Sequence, residues 1–251
     1  MTDKQVIKKL ESLASHNPKD LEGMAHFGIN VDKAWVISIP KLRGLASEVR
    51  KEVFGSDRHT LALEVWKSDI HEAKILAGFI DDPVNVTEEQ MEDWVLGFDS
   101  WDVTDMVIGN LFDRSEFAVQ KAREWSVRPE EYVKRAGFVL MAGLATHNKT
   151  MSDEQFVEFL DIIKRQAGDS RNFVRKSINW ALRTIGKARN NYLYNKAMDA
   201  ANEILKQVQD DVSGGADGKT TWTDAEKKAA RWIARDAIRE LEKDYITKRF
   251  R

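Results

Sequence analysis

Cysteine is absent from this 251-residue chain. That excludes disulfide staples, thiolate zinc sites and thiol nucleophiles, and it fits a reducing cytoplasm, the compartment expected here. Proline is scarce: four residues, at 18, 40, 83 and 129, each beside an apolar-periodic segment, where helices tolerate it. No apolar run approaches the ~18–20 residues of a membrane span, and the opening Met-Thr-Asp-Lys-Gln-Val has no signal-peptide core. No membrane partner is expected. Charge of one sign is not in excess either, with 39 Lys+Arg against 41 Asp+Glu and a net charge of −2. A nucleic-acid site must therefore be a local patch. GxGxxG, HExxH and the nucleotide-binding phosphate loop are missing, and the Gly-rich run at 213–220 lacks the loop's spacing and a preceding strand. The five His (16, 26, 59, 71, 147) show no ligand spacing, so neither metal nor cofactor is expected. His71, heading a helix beside Glu72, reads as structural.

What is present is helical periodicity. Strict alternation of apolar and polar residues comes nearest at Trp35 to Ile39 and is otherwise scarce, so the chain reads as all-α. Helices are expected over Lys4–Ser15, Lys19–His26, Pro40–Phe54, Asp57–Lys67 and Ile70–Ile80, with a loop over Gly28–Ile39. Thr87 and Gln90 form a capping-box pattern ahead of a helix to Gly97. Further helices are expected from Trp101, then over Ser115–Trp125, Pro129–His147, Ser152–Ala167, Arg171–Gly186 and Asn190–Gln209. A flexible loop at Asp211–Thr221 precedes one last helix, Thr223 to Lys248. Short helices on short turns suggest stacked pairs in a single domain, 1–251. A weak echo, Glu131–Ala136 against Asn172–Ser177, has the spacing of HEAT-type pairs, with Lys227–Trp232 as a fainter third copy.

Two stretches stand out chemically. From Gly78 to Asp105 there are nine acids and no Lys or Arg, whereas Lys164 to Arg189 holds eight basic residues and one acid, Asp169. Either run also fits a solvated helix face. In the first, Val103, Met106, Val107 and Leu111 share one helix face, and Trp101, Asp105, Ile108 and Phe112 roughly the other. Asp102 reads as helix-start chemistry, with Asp99 and Ser100 as cap residues. Asp105 lies a turn deeper, where capping explains it less well. In the second run, Trp180 lies off the Val174, Ile178, Ala181, Leu182 and Ile185 stripe, beside Lys176 and Arg183. Cations for phosphate beside a ring for sugar or base suit nucleic acid, and packing on a neighbouring repeat would suit the ring equally.

Three segments resemble the AlkD-like DNA alkylation repair family of HEAT-like-repeat DNA glycosylases. Ser100-Trp101-Asp102-Val103-Thr104-Asp105 is similar to its Trp-Asp-x-x-Asp helix. Tyr132-Val133-Lys134-Arg135-Ala136-Gly137-Phe138 resembles the segment with its phosphate-contacting Arg. Asn172 to Arg183 is similar to its Phe-x-x-Arg-Lys-x-x-x-Trp-x-Leu-Arg motif. The resemblance extends from about residue 20 to 206. One departure is the run Asn30–Ser38 between Phe27-Gly28-Ile29 and Ile39-Pro40-Lys41-Leu42-Arg43, longer than the family's and placed to alter DNA entry.

The resemblance implies a right-handed solenoid of antiparallel helix pairs with a concave DNA-binding face, acting as a monomer. It implies excision of cationic N3- or N7-alkylated purines from double-stranded DNA. Asp105 becomes the catalytic carboxylate, Trp101 and Trp180 an aromatic cleft on the lesion's sugar and backbone, and Arg135 a phosphate contact. Arg175, Lys176 and Arg183 complete the DNA-binding set. The family also includes relatives with little or no glycosylase activity, so a binder of branched or damaged DNA is the second reading, and a HEAT-type protein scaffold the third.

Overall fold

The computed structural model describes residues 1–15, 17–212 and 222–250. Among them every regular element is helical. The chain divides into two compact units, Met1–Phe117 and Ala118–Arg251.

The first unit comprises α1 (Asp3–Leu13), α2 (Pro18–His26), α3 (Ile39–Glu52), α4 (Gly55–Trp66), α5 (His71–Ile80), α6 (Glu88–Leu96) and α7 (Trp101–Asn110). Short 3₁₀ turns at Pro83–Asn85 and Phe112–Arg114 complete it. Local chemistry sets the starts. Thr2 and Gln5 form a reciprocal capping box, and Asn17 caps α2 ahead of Pro18. At Thr87 only half of the expected box forms. Its hydroxyl accepts from the Gln90 N–H, but the Gln90 side chain turns inward and donates to Asp81 Oδ2 at 2.7 Å. The buried Asp81, also bonded to His59 Nδ1 at 2.9 Å, competes better for that amide than the cap does.

Every residue of α5 is buried, so this helix packs on all sides, against α3, α4 and α7. Gly78 permits the approach to α7: a Cβ there would meet Val107 at 3.2 Å. The Trp66 and Trp94 rings stack at 4.3 Å, flanked by Phe98 and Phe112.

The second unit comprises α8 (Ala118–Trp125), α9 (Glu131–His147), α10 (Asp153–Gln166), α11 (Asn172–Ala188), α12 (Asn191–Val212), α13 (Asp224–Leu241) and α14 (Asp244–Phe250). The expected single C-terminal helix is two. The chain turns at Glu242–Lys243, where Glu242 N–H returns to Ile238 O, and Ile246 is buried beyond the turn. α12 also runs past Gln209 to Val212; the rest of the expected loop, 213–221, lies outside the described residues, as does His16.

α9, α11 and α13 run parallel, side by side. Tyr132 stacks on Phe173, with centroids 6.0 Å apart, and Arg175 covers Trp232, 5.2 Å from the centroid. Asn179 Nδ2 donates to Ile233 O at 3.0 Å, Arg183 pairs with Asp236 and Lys187 with Glu240. Both numbers rise together along the α11–α13 contact, which fixes its direction. α10 and α12 are joined by Lys164–Glu203. The 41-residue echo is thus the register of neighbouring helices in one rank. Gly137 is the tightest crossing, since a Cβ there would sit 2.3 Å from Ser126 N.

Candidate nucleic-acid interface

In the first unit the site is the start of α7. Its buried stripe is Val103, Thr104, Val107 and Ile108, continuing to Leu111 and Phe112, while Trp101, Asp105, Met106 and Gly109 are partly exposed. The sequence wheel is therefore modified. Ile108 and Phe112 join the core, and Trp101 and Asp105 lie at its edge, one turn apart. The next turn is Gly109, where a Cβ would meet nothing within 4 Å. The helix is uncovered at Gly109.

The loop at 27–38 fastens this helix start. Trp101 Nε1 donates to Phe27 O at 3.1 Å, which sets the tilt of the indole. Asn30 Nδ2 donates to Asp99 Oδ2 at 3.1 Å and Asn30 N to Ser100 Oγ at 3.4 Å. The loop is anchored in turn to α5. Glu72 accepts from the N–H groups of Trp35 and Ile37, at 2.8 and 3.1 Å, on either side of Val36. Val36 has φ +57°, a left-handed conformation that a β-branched residue adopts only under restraint. The run that departs from the family pattern is a brace for the Trp101 helix.

Asp102 is corrected by the structure. It does more than start a helix: its Oδ2 lies 2.9 Å from His71 Nε2, and its Oδ1 accepts from Ser100 Oγ at 2.6 Å. Ser100 accordingly makes no side-chain cap bond. Burial, the largest single influence, works against charge on both partners. Their mutual hydrogen bond and attraction outweigh it, so His71 lies above its ordinary pKa and Asp102 below. Sequence reasoning missed this pair because 31 residues separate its members.

In the second unit, Trp180 is 37 % exposed, whereas Val174, Ile178, Ala181, Leu182 and Ile185 are fully buried. The indole is off the core stripe, as the wheel predicts, and faces outward with Lys176. Lys176 is exposed, its Nζ 5.9 Å from the Phe173 ring, and Arg175 lies between Asn172 and Trp232.

Two of the cations expected to meet DNA also have partners within the protein. Arg135 is 5 % exposed, with Nη1 donating to Phe173 O at 2.6 Å. It is a buried strut between α9 and the start of α11, because a guanidinium removed from water needs acceptors close by. Arg183 is paired with Asp236 at 3.4 Å. Half of the basic run is balanced by acids of the same chain. Lys164 meets Asp161 and Glu203, Arg171 meets Asp169, and Lys187 meets Glu240. The Glu240 carboxyl is pulled down to about 2, first by its bond to Lys243, helped by Tyr245 and Lys187. The acidic run behaves alike: Asp82 pairs with Arg58, and Asp81, Asp99 and Asp102 have the partners given above.

Sequence reasoning gave no site role to Trp232, Lys228 or Arg235, all exposed on α13. The faint third echo was the available signal.

Helices ranked in parallel at a repeating register define a HEAT-like repeat protein. A model of the DNA alkylation repair enzyme family matches residues 6–241, and the chain belongs to that family. A solved structure described as a new family of proteins related to the HEAT-like repeat DNA glycosylases with affinity for branched DNA structures shares the fold. Its TM-score is 0.69 at 20 % identity, covering 94 % of this chain and 96 % of that one. No curated protein matches. Among the described residues no helix is long and apolar enough to cross a membrane.

Proposed function

We propose that this chain excises cationic N3- or N7-alkylated purines from duplex DNA. The observation that supports this most is the face of α7 on which Trp101, held by Phe27 O, stands one turn from the partly exposed Asp105. An alkylated purine carries ring charge and leaves with the electron pair of its glycosidic bond. The sugar becomes oxocarbenium-like, and water adds at the anomeric carbon with loss of a proton. A carboxylate beside that carbon stabilises the developing cation and orients the water. In the first unit Trp101 supplies a face for sugar and backbone, and in the second unit Trp180 supplies another, with cationic character favoured at each. Lys176 and Arg175 supply phosphate contacts. We assign Arg135 and Arg183 supporting roles, the first on Phe173 O and the second on Asp236.

The test is release of 7-methylguanine from methylated duplex by the purified chain. Asp105→Asn should slow release by about 10²–10³-fold with duplex affinity retained. Undiminished release by this variant would remove Asp105 from the chemistry.

A second reading is binding of branched DNA without base release. The pairing of half of the basic run with acids of the same chain favours it, as does the affinity ascribed to the solved relative. Preference for a four-way junction over linear duplex, with no base released, would select this reading.

A further inference from the structure

A cavity of about 350 Å³ lies in the first unit between α2, the run before α3, α5 and the first turn of α7. Its size is at the lower end for small-molecule sites, room for one ring system rather than a length of nucleic acid. Met24, Ile29, Val36, Ile37, Ile39 and Ile75 give it apolar walls. Val36, Ile37 and Ser38 come from the run that departs from the family pattern, so the brace on Trp101 also encloses a space.

The polar lining is acidic. Asp20, Glu72 and Asp102 face the cavity with His71, and no Lys or Arg lines it. Glu72 is 1 % exposed, and its oxygens accept only the neutral N–H groups of Trp35 and Ile37. Asp20 accepts from the side chains of Ser15 and Asn17. Asp102 answers the charge of His71, so the carboxylates of Glu72 and Asp20 are left without a cation among the described residues. A buried carboxylate in that position leaves a negative field uncompensated. His71 gives an independent sign of a ligand. It is 5 % exposed, its Nε2 is committed to Asp102, and its Nδ1 has no hydrogen-bond partner among the described residues. Asp102 favours the charged ring, in which Nδ1–H is a donor in want of an acceptor. A bare metal ion does not fit, since no three His, Asp or Glu side chains among the described residues converge as ligands.

We propose that this cavity binds a heteroaromatic cation bearing a carbonyl, the chemistry of an N7-alkylated guanine base. The ring lies against the isoleucines, its positive charge faces Glu72, and its carbonyl oxygen accepts from His71 Nδ1. The proposal rests on the function above and adds to it a site for the base itself. Asp102 and Asp105 are three residues apart on α7, about 60° around the helix, so the cavity wall and the Asp105 carboxylate occupy neighbouring strips. Two sources carry this chemistry, a lesion base in DNA and a free nucleoside.

The experiment titrates 7-methylguanosine, in mildly acidic buffer, into the chain with its isoleucine δ1 methyls ¹³C-labelled. The methyls of Ile29, Ile37, Ile39 and Ile75 should shift, and neutral guanosine should bind at least about tenfold more weakly. Ser38→Trp puts an indole at the cavity without removing a helix cap, because Ser38 makes no side-chain cap bond, and should abolish the shifts. Glu72→Gln should weaken binding about fivefold or more and narrow the preference for the cation. Should that variant fail to fold by circular dichroism, Asp20→Asn, at an exposed position, carries the charge test with a weakening of about twofold. A duplex with one N7-methylguanine, added to the Asp105→Asn chain, separates the sources. Displacement of the nucleoside assigns the cavity to the lesion base, and joint occupancy assigns it to the free one; both sustain the cation site. No shift at these methyls, equal binding of guanosine, or undiminished binding in Ser38→Trp overturns the proposal. No bond is cleaved in this test. Base release without nucleoside binding therefore sinks the cavity and spares the function above, and binding without release does the reverse.

Discussion

His71 and Asp102 form a part-buried pair, imidazole Nε2 to carboxylate Oδ2 at 2.9 Å, that ties the first turn of α7 to the fully buried α5. The raised His71 contributes stability that is complete below its unfolded value near 6.5 and is lost as pH climbs through its folded value. The lowered Asp102 contributes stability that is complete above about 3.9 and is lost as pH falls through its folded value. The pair is at full strength between about pH 4 and 6.5. Asp102→Asn should therefore cost about 3 kcal/mol in urea unfolding at pH 5.5, and less above pH 7. An equal cost at every pH would mean that the two groups do not share a proton-linked pair.

Glu72 holds the two N–H groups around Val36. Glu72→Ala leaves both donors without their acceptor, at a cost of about 2 kcal/mol or more. The brace on Trp101 loosens with it, so limited proteolysis should cut within 30–38 in the variant and not in the wild type. Cleavage patterns that match would show the loop to be held by other contacts.

Val36 supplies a complementary case. Its left-handed φ is strained for a β-branched side chain, and glycine adopts it freely. Val36→Gly should raise stability by about 1 kcal/mol, relief of strain exceeding the added freedom of the unfolded chain. A fall in Tm would show that the side chain's packing outweighs the strain.

Gly137 faces backbone rather than a yielding side chain. Ser126 N and Cα would lie 2.3 and 2.7 Å from an added Cβ. Gly137→Ala should cost about 3 kcal/mol or prevent folding, despite alanine's better helix propensity. Calorimetry of this variant beside Gly109→Ala, which meets nothing, separates crowding from propensity.

Helix positions were readable because a 3.6-residue apolar period, Pro at 18 and 40 and the Thr87 cap are local signals. The rank of α9, α11 and α13 was readable only as an echo, since register between helices leaves a trace only where facing residues repeat, as Tyr132 and Phe173 do. What failed was partner choice. Gln90 bonds Asp81 rather than completing its own cap, Asp102 bonds His71, and Arg135 reaches Phe173 O. Each choice is made by a group distant in sequence that lacks water, and neither periodicity nor spacing records that. The break at Glu242–Lys243 escaped because neither residue is a helix breaker; the turn serves the burial of Ile246.

The parallel rank also orders how the second unit opens. α11 has a rank neighbour on each side, whereas α13 packs on α11 alone within it, so the loss of α13 need not unfold α11. Amide protons of α13 should accordingly exchange with solvent faster than those of α11, as one cooperative block with α14.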